Sequence, residues 1–284
     1  MGTPAISVRQ LFAQEARQPE RDLDLARAAL LVAKEQYPGL AVEQYLARLD
    51  QLAEEVKDRL ADETAPLVVL EELTRTLFGR HGFRGNKEAY YDPRNSFLND
   101  VLDRRLGIPL TLGIVMLEVG WRLCLPLQGV NFTHHFLVRF HGDAVDLLID
   151  PFESGRARFE DQAQELLDRV SGGKLRLRES FLRVATRRDV LVRLLNNLKG
   201  VYLSAEDHAR ALSVVERLLI LCPDNGAEIC ARGVLLARVG RRDEAIDRLR
   251  GWLDYAAAGR DADRVRRLVL RLERSGELDD GEEG

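Results

Sequence analysis

The sequence lacks the features of several specialised protein classes. Its 284 residues hold three cysteines, Cys124, Cys222 and Cys230, which form neither a C-x-x-C pair nor an even-numbered framework. We therefore expect no disulfide scaffold, and the three thiols are predicted to be reduced and mostly buried. Long apolar runs are also missing, at the N-terminus and elsewhere. The sequence thus predicts no membrane span and favours a cytoplasmic protein.

Positive charge is not in excess either. The chain carries 42 lysines and arginines against 46 aspartates and glutamates, a net charge of −4. This balance gives no general attraction to nucleic acid or to an anionic membrane. The apolar fraction of 45% and the charged fraction of 31% are typical of an ordinary globular protein. The length suits about two domains.

The first third of the chain is predicted to be helical. Residues 22–36 are rich in Leu and Ala, residues 42–60 repeat apolar side chains at steps of three and four, and a third helix covers about 66–78. None of these helices clusters titratable side chains at the spacing of ligands. We interpret them as a scaffold that packs against the core.

Residues 109–123 are the stretch around which the rest of the chain is organised. Between Leu110 and Leu123 the only strongly polar side chains are Thr111, Glu118 and Arg122, and their spacing puts them on one helical stripe. The other sides are apolar, which predicts a buried central helix, too short to span a membrane. Glu118 and Arg122, four residues apart, are predicted to form an intrahelical pair.

Three β-rich runs follow that helix, at residues 127–132, 136–140 and 145–149. We expect them to form an antiparallel sheet, containing Leu137 and Val138, on which the helix packs. His135 precedes the second run and Asp150 follows the third. A buried helix followed by strands bearing a histidine and then an aspartate is the layout of a papain-like core, so the predicted fold class is α+β and mostly helical.

Four motifs occur in order along the chain: YDPRNSFLN at 91–99, RLGIP at 105–109, HFLVR at 135–139 and DPF at 150–152. In this order they resemble the bacterial SirB family, transglutaminase-like proteins with a tetratricopeptide-type C-terminal region. The resemblance covers nearly the whole chain. It implies a transglutaminase-like, papain-like core with a Cys, His and Asp triad, but no particular substrate.

Matching this chain to the family residue by residue retains two members of the triad. His135 matches the family histidine and Asp150 the aspartate of the last strand. The residue before the histidine is commonly Gly in the family, and here it is His134. The position of the nucleophilic cysteine falls at about Pro109, which has no side chain able to attack a substrate. The nearest hydroxyl is that of Thr111.

None of the cysteines is expected to replace the missing thiol. Cys124 lies fifteen residues beyond Pro109, about 22 Å along a helix, and is interpreted as a core residue. Thr111, with His135 as its base and Asp150 as orienter, is therefore the candidate degenerate triad. The alternative is that Thr111 bonds a nearby backbone carbonyl, as threonines in a first helical turn often do.

Other polar residues near these motifs have two interpretations. Asn95 and Ser96 are typical of turn and N-cap chemistry, and the alternative is a place at the mouth of a pocket, which His134 could share. His134, His135 and His141 are close in sequence, but alternation along a strand would split neighbours between two faces. The sequence therefore predicts no metal site, and no cofactor.

A period of 34 residues characterises the C-terminal third. Shifting by 34 takes Ala211 to Ala245 and Lys199 to Gly233. The pattern predicts two tetratricopeptide-like helix pairs, in which both alanines lie at close helix contacts. The alternatives for this region are binding of a protein partner and packing alone. The expected helices are 190–203 with 208–221, and 227–239 with 242–255.

The expected division of the chain is a helical lead-in with the core at 1–173, repeats at 174–275 and a disordered acidic tail at 276–284. The last helix, 261–275, carries several arginines around an apolar stripe, which is predicted to be Val265, Leu268, Leu270 and Leu272. Two functions follow as hypotheses. In the first, the protein is a non-catalytic interaction or regulatory module whose repeats recruit a protein partner. In the alternative, it is an atypical hydrolase or acyltransferase that uses Thr111.

Overall fold

A computed structural model describes residues 6–133, 135–143 and 145–274, with the side chain of residue 170 left out. The predicted tail at 276–284 and the pocket candidate His134 lie outside the described residues. The helices in the described ranges are α1 (Val8–Ala16), α2 (Leu25–Gln36), α3 (Val42–Leu60), α4 (Pro66–Thr74), α5 (Leu98–Arg104), α6 (Pro109–Arg122), α7 (Ala163–Ser171), α8 (Arg187–Ser204), α9 (His208–Leu221), α10 (Gly226–Arg238), α11 (Arg242–Leu253) and α12 (Arg260–Arg274). The strands are β1 (Arg84–Gly85), β2 (Leu106–Gly107), β3 (Leu127–Val130), β4 (Leu137–His141), β5 (Asp146–Asp150), β6 (Arg156–Arg158) and β7 (Val184–Ala185).

The main sheet is antiparallel throughout, with its strands in the order β6-β5-β4-β3-β7. Val138 in the central strand lies opposite Gly129 on one side and Ile149 on the other. The two short strands β1 and β2 form a separate parallel pair. The predicted antiparallel sheet containing Leu137 and Val138 is therefore confirmed, and it gains two edge strands.

Helix α6 is the buried central helix that the sequence predicts. Ile114 and Met116 are both 0% exposed, and the helix packs on β3 and β4. Pro109 suits its first turn because that position has no intrahelical partner for an N–H. The close approach to the sheet depends on Gly113, since a Cβ there would lie 2.5 Å from Cδ1 of Phe136.

The chain forms two compact units, divided between Leu194 and Leu195. Strand β7 belongs to the first unit because it pairs with β3 in the main sheet. The compact units are thus divided after residue 194, and the domain boundary expected after residue 173 stays a prediction. Strand β7 has two residues, which is too short to show a periodicity, so the sequence gives little indication that the chain rejoins the main sheet there.

The predicted helix pairs form, and all of them except the start of α8 lie in the second unit. Helices α9, α10 and α11 match the expected ranges to within two residues, and α8 contains the expected 190–203. Ala211 and Ala245 are both 0% exposed, as expected for close helix contacts. A Cβ on Gly233 would lie 2.7 Å from Cδ1 of Leu249, so a small residue is required there too.

The buried stripe of α12 differs from the predicted one in a single position. Leu270 is 49% exposed, whereas Val269 is 6% exposed and takes the buried place. Steps of three and four residues from Val265 reach Leu268 and Val269, and the next such steps reach Leu272. Choosing Leu270 was wrong because a step of two on a helix leaves the buried face.

A search of the described helices finds none that is both long and apolar enough to cross a bilayer.

Candidate functional site around His135

The predicted pair of His135 and Asp150 forms in the structure. Nε2 of His135 lies 2.9 Å from Oδ1 of Asp150, and the two residues are 6% and 0% exposed. His135 stands in the turn before β4, where its backbone N–H donates to the carbonyl of Phe132 at 3.0 Å. Asp150 ends β5, on the neighbouring strand. Adjacent strands thus bring together residues that are 15 positions apart in the sequence.

The backbone after Asp150 holds its carboxylate in place. Oδ1 also accepts the backbone N–H groups of Phe152 at 3.0 Å and Glu153 at 3.2 Å, as the cap of a 3-10 turn. Three donors therefore converge on one oxygen, which fixes the orientation of the carboxylate. A carboxylate can only accept, so Nε2 of His135 carries the hydrogen in this pair. In the neutral ring, Nδ1 is then the basic nitrogen.

Arg158 lies on the other side of Asp150. Its Nη1 is 3.7 Å from Oδ2 of Asp150, an ion-pair distance that is too long for a hydrogen bond. Within the described residues, Oδ2 and both Nη atoms of Arg158 have no hydrogen-bond partner. Burial lowers the pKa of Arg158, which nevertheless stays charged at neutral pH. Asp150 is therefore shared by two basic groups.

Thr111 is engaged elsewhere. It is 0% exposed, and its hydroxyl donates to the carbonyl of Asn95 at 2.6 Å while accepting the backbone N–H of Ile108 at 3.2 Å. A hydroxyl has one hydrogen, so the short bond to Asn95 uses the donor that a base would have to remove. Among the described residues, no hydrogen bond joins Thr111 to His135.

Cys124 lies away from the start of α6, and the other two cysteines belong to the second unit. Cys124 follows the far end of that helix and is exposed, so its interpretation as a core residue was wrong. Its φ of +57° ends the helix in a left-handed conformation and turns the side chain out of the apolar interior. Cys222 is half-buried, Cys230 is buried, and both belong to the second unit.

Asn95 and Ser96 are buried, at 0% and 3% exposed. Asn95 does not cap α5, whose N-cap is Phe97 without a side-chain cap. Its Nδ2 donates to the carbonyls of Ala89 at 2.6 Å and Tyr90 at 3.1 Å, which ties down the loop before it. The capping role expected for Asn95 was wrong because these loop carbonyls lie closer to its amide.

The remaining polar residues of α6 bind other helices. Glu118 accepts from Nη1 of Arg122 at 2.6 Å, which confirms the predicted pair, and from the backbone N–H of Ala26 at 3.0 Å. Arg122 also donates to Asp50 at 2.7 Å. Burial raises the pKa of Glu118. These contacts join α6 to α2 and α3, and they serve the architecture.

Aromatic rings lead from His135 towards the surface. The Phe152 ring lies 6.1 Å from the His135 ring, and the Tyr90 ring lies 6.0 Å from that of Phe152, both edge-on. Tyr90 is 39% exposed and Tyr91 is 79% exposed. Arg193 completes the surroundings, with Nη1 bonded to the carbonyl of Phe132 at 3.2 Å.

Arg158 and Arg193 were missed by the sequence analysis. Nothing in their local sequence separates them from the many other arginines of the chain. Metal binding has no geometric support in the described ranges, where no group of three or more histidine, cysteine or acidic side chains could hold an ion. The site is thus built from a His–Asp pair, two arginines and aromatic rings.

Comparisons with known proteins agree with this architecture. Residues 43–196 match the Transglutaminase-like superfamily, and residues 198–269 match Tetratricopeptide repeat. The UPF0162 protein of Xylella fastidiosa strain 9a5c is 35% identical over 259 residues, covering 89% of this chain and 91% of that protein. The UPF0162 protein of Pseudomonas aeruginosa is 34% identical over 211 residues, covering 74% and 77%.

A shorter match reaches a much larger human protein. F-box only protein 21 is 35% identical over 85 residues, which are 30% of this chain and 14% of that protein. No solved structure matches the chain. The matches to the core, to the repeats and to nearly full-length relatives agree with one another. The chain therefore belongs to the transglutaminase-like superfamily, in the group of UPF0162 proteins, with tetratricopeptide repeats after the core.

Proposed function

We propose that this protein is a non-catalytic transglutaminase-like module that acts through protein interaction or regulation. The observation that carries the proposal is the bond from the Thr111 hydroxyl to the Asn95 carbonyl at 2.6 Å. The first turn of α6 begins with Pro109 and offers no thiol, so His135 has a partner in Asp150 but no group to activate. Domain order and motifs fit the resemblance to the SirB family, and we expect a cytoplasmic location.

The repeats supply the interaction role in this proposal. Tetratricopeptide repeats generally mediate contacts between proteins, and the second unit presents large apolar side chains to solvent. Tyr255 is 91% exposed and Leu203 is 44% exposed. Single exposed residues are ordinary, but together with the repeat architecture they are the places to test.

The decisive experiment measures activity and interaction on the same purified chain. We expect no turnover of amine-acceptor, ester or peptide substrates, and no effect of alkylating the cysteines. In quantitative affinity capture, Tyr255→Ser should reduce the amount of the retained partner. Phe159→Ser, which changes another exposed aromatic residue (55%) outside the repeats, should leave it unchanged. Equal retention by both variants would remove the repeats from the proposal.

A second candidate function is supported by the intact His135–Asp150 pair. With Nε2 directed at Asp150, Nδ1 is the atom that could act as a base in an atypical hydrolase or acyltransferase that uses Thr111. This function requires the Thr111 hydroxyl to leave Asn95. Ester or amide turnover abolished by both Thr111→Ala and His135→Ala, in folded variants, would establish it and overturn the non-catalytic proposal.

A further inference from the structure

Arg193 is a half-buried cation whose hydrogen-bond acceptors among the described residues are neutral. Its Nη1 donates to Oδ1 of Asn131 at 3.3 Å and to the carbonyl of Phe132 at 3.2 Å, and both acceptors are neutral. No carboxylate in the part of the chain that the structure describes forms an ion pair with it. Burial lowers the pKa of Arg193, but a guanidinium remains charged at neutral pH. Partial burial of an uncompensated charge opposes folding, and an anionic ligand would remove that cost.

The position of Arg193 is tied to that of His135. The carbonyl of Phe132 accepts both the backbone N–H of His135, at 3.0 Å, and the guanidinium of Arg193, at 3.2 Å. The same guanidinium lies 5.8 Å from the centre of the Phe136 ring. One turn of the chain therefore fixes both the cation and the imidazole.

Aromatic rings complete the surroundings of these two groups. Phe152 lies edge-on to His135, and Tyr90 lies edge-on to Phe152. Burial raises the pKa of Tyr90, and the nearby charge of Arg193 acts against that rise. We call His135, Phe152, Tyr90 and Arg193 the His135 patch. Solvent reaches it at Tyr90, which is 39% exposed.

The chemistry of the patch indicates its ligand. A guanidinium matches the planar, forked geometry of a carboxylate, and charge-assisted bonds of this kind are strong. Aromatic rings offer contact surface to an apolar or aromatic side chain at little cost in conformational entropy. The neighbouring Lys87 is already paired with Glu153, at 3.0 Å. Among the described residues of the patch, one guanidinium has only neutral acceptors, and a single positive charge suits a carboxylate better than a doubly charged phosphate.

We propose that the His135 patch binds a peptide through one carboxylate, which Arg193 holds while Tyr90 and Phe152 contact the adjoining side chain. This inference rests on the proposed function, because it gives the core of the module a ligand. The carboxylate has two sources, the C-terminus of a peptide chain or an acidic side chain. Binding experiments can separate them.

The test uses the full chain and two matched pairs of probes, with calorimetry as the measurement. The first pair is N-acetylphenylalanylglycine and its C-terminal amide. The second is the amide of N-acetylphenylalanylaspartate and the corresponding asparagine compound. We expect the neutral member of at least one pair to bind about tenfold more weakly, and that pair identifies the source. Equal binding of charged and neutral members in both pairs, or no binding by any probe, would overturn the proposal.

Variants locate the binding. Arg193→Gln should weaken binding of the preferred probe about tenfold, with loss of most of its dependence on the carboxylate. Arg176→Gln is the matched control, since Arg176 is an exposed arginine of the same unit, and it should bind as the parent does. Should Arg193→Gln fail to fold, Tyr90→Leu provides the second variant, with several-fold weaker binding of the phenylalanyl probes expected. Unchanged binding by the folded variants would overturn the assignment.

Failure of this inference is distinguishable from failure of the proposed function. Turnover that requires Thr111 and His135 would overturn the non-catalytic role, and carboxylate-selective binding could persist. Absence of selective binding, without any turnover, would overturn only the ligand assignment.

Discussion

The central helix and the His135 patch use buried polar groups in opposite ways. In α6, the Thr111 hydroxyl bonds to the main chain at Asn95 and Ile108. Both oxygens of Glu118 accept a bond, one from a backbone N–H and one from Arg122. The polar atoms of this helix are therefore occupied by the fold itself.

Around His135 the polar groups are only partly used. Oδ2 of Asp150 and both Nη atoms of Arg158 have no hydrogen-bond partner among the described residues, and Arg193 has neutral acceptors only. Buried polar atoms are normally hydrogen-bonded, so a cluster of buried polar atoms without hydrogen bonds indicates a candidate functional site. The difference shows that burial and polarity alone do not identify function. The number of bonds already made inside the protein separates the two regions.

The largest expected effect concerns Glu118. Replacing it with alanine leaves the Ala26 N–H without its buried acceptor and leaves Arg122 with Asp50 as its remaining acidic partner, so Glu118→Ala should destabilise the protein by about 2–4 kcal/mol. Urea denaturation measures the change. The exposed Glu88 provides the control, and Glu88→Ala should stay within about 0.5 kcal/mol. A loss below about 1 kcal/mol for Glu118→Ala would show that α6 does not depend on these bonds.

A steric change tests how closely the two regions are connected. In Gly113→Ala the new Cβ would lie 2.5 Å from the Phe136 ring, so we expect a loss of about 1–3 kcal/mol from overpacking. Displacement of Phe136 should also shift the ring resonances of His135, the preceding residue. Gly200→Ala is the control, because Gly200 lies in α8 with open space around it. Gly200→Ala should be neutral or stabilise the protein by up to about 1 kcal/mol. If the His135 resonances did not shift in Gly113→Ala, the packing of α6 and the His135 patch would not be coupled.

Thr111→Val removes a hydroxyl and keeps the shape of the side chain. The Ile108 N–H and the Asn95 carbonyl then lose a buried partner, and we expect a destabilisation of about 1–2 kcal/mol in chemical denaturation. Thr64→Val, at an exposed position, should change the free energy of unfolding little. If Thr111→Val were as harmless as Thr64→Val, the hydroxyl would be free of an architectural role and the catalytic alternative would gain support.

The smallest expected effect on stability concerns Asp146 in β5, whose carboxylate is partly exposed, whereas that of Asp150 is buried. The bond from Nε of Arg139, at 2.8 Å, lowers the pKa of Asp146. A carboxyl pKa that is lower in the folded state stabilises the fold above the unfolded pKa of about 4. That contribution is lost as the pH falls through the folded pKa. Asp146→Asn should therefore cost about 0.2–1 kcal/mol at pH 7 and converge with the parent in stronger acid.

The control for that profile is Asp143→Asn, an exposed aspartate that should give no pH-dependent difference. If the difference in the free energy of unfolding between Asp146→Asn and the parent grew as the pH fell, the pKa of Asp146 would not be lowered by folding. Urea midpoints measured from pH 7 down to about pH 3 are sufficient to decide.

Much of the core was predictable because its signals are local. The apolar run of α6 predicted burial on all sides, and the β-rich runs predicted strands. The meeting of His135 and Asp150 was predicted from the resemblance to a papain-like core. The 34-residue period likewise predicted small side chains in the interior at Ala211 and Ala245, and both are 0% exposed. The errors have local causes too. Leu270 and Cys124 are apolar residues that the turn of a helix or a left-handed residue carries to the surface.

The sequence by itself determined the order of elements, the buried helix, the His135–Asp150 pair and the repeat helices. These follow from the spacing of residues within one helix or strand, and from motifs read along the chain. The tertiary structure alone decided which polar groups are occupied. Thr111 meets the Asn95 carbonyl 16 residues away, Glu118 meets the Ala26 N–H 92 residues away, and Arg193 meets the Phe132 carbonyl 61 residues away. Such bonds have no periodicity, because they form only where packing brings distant segments within about 3 Å.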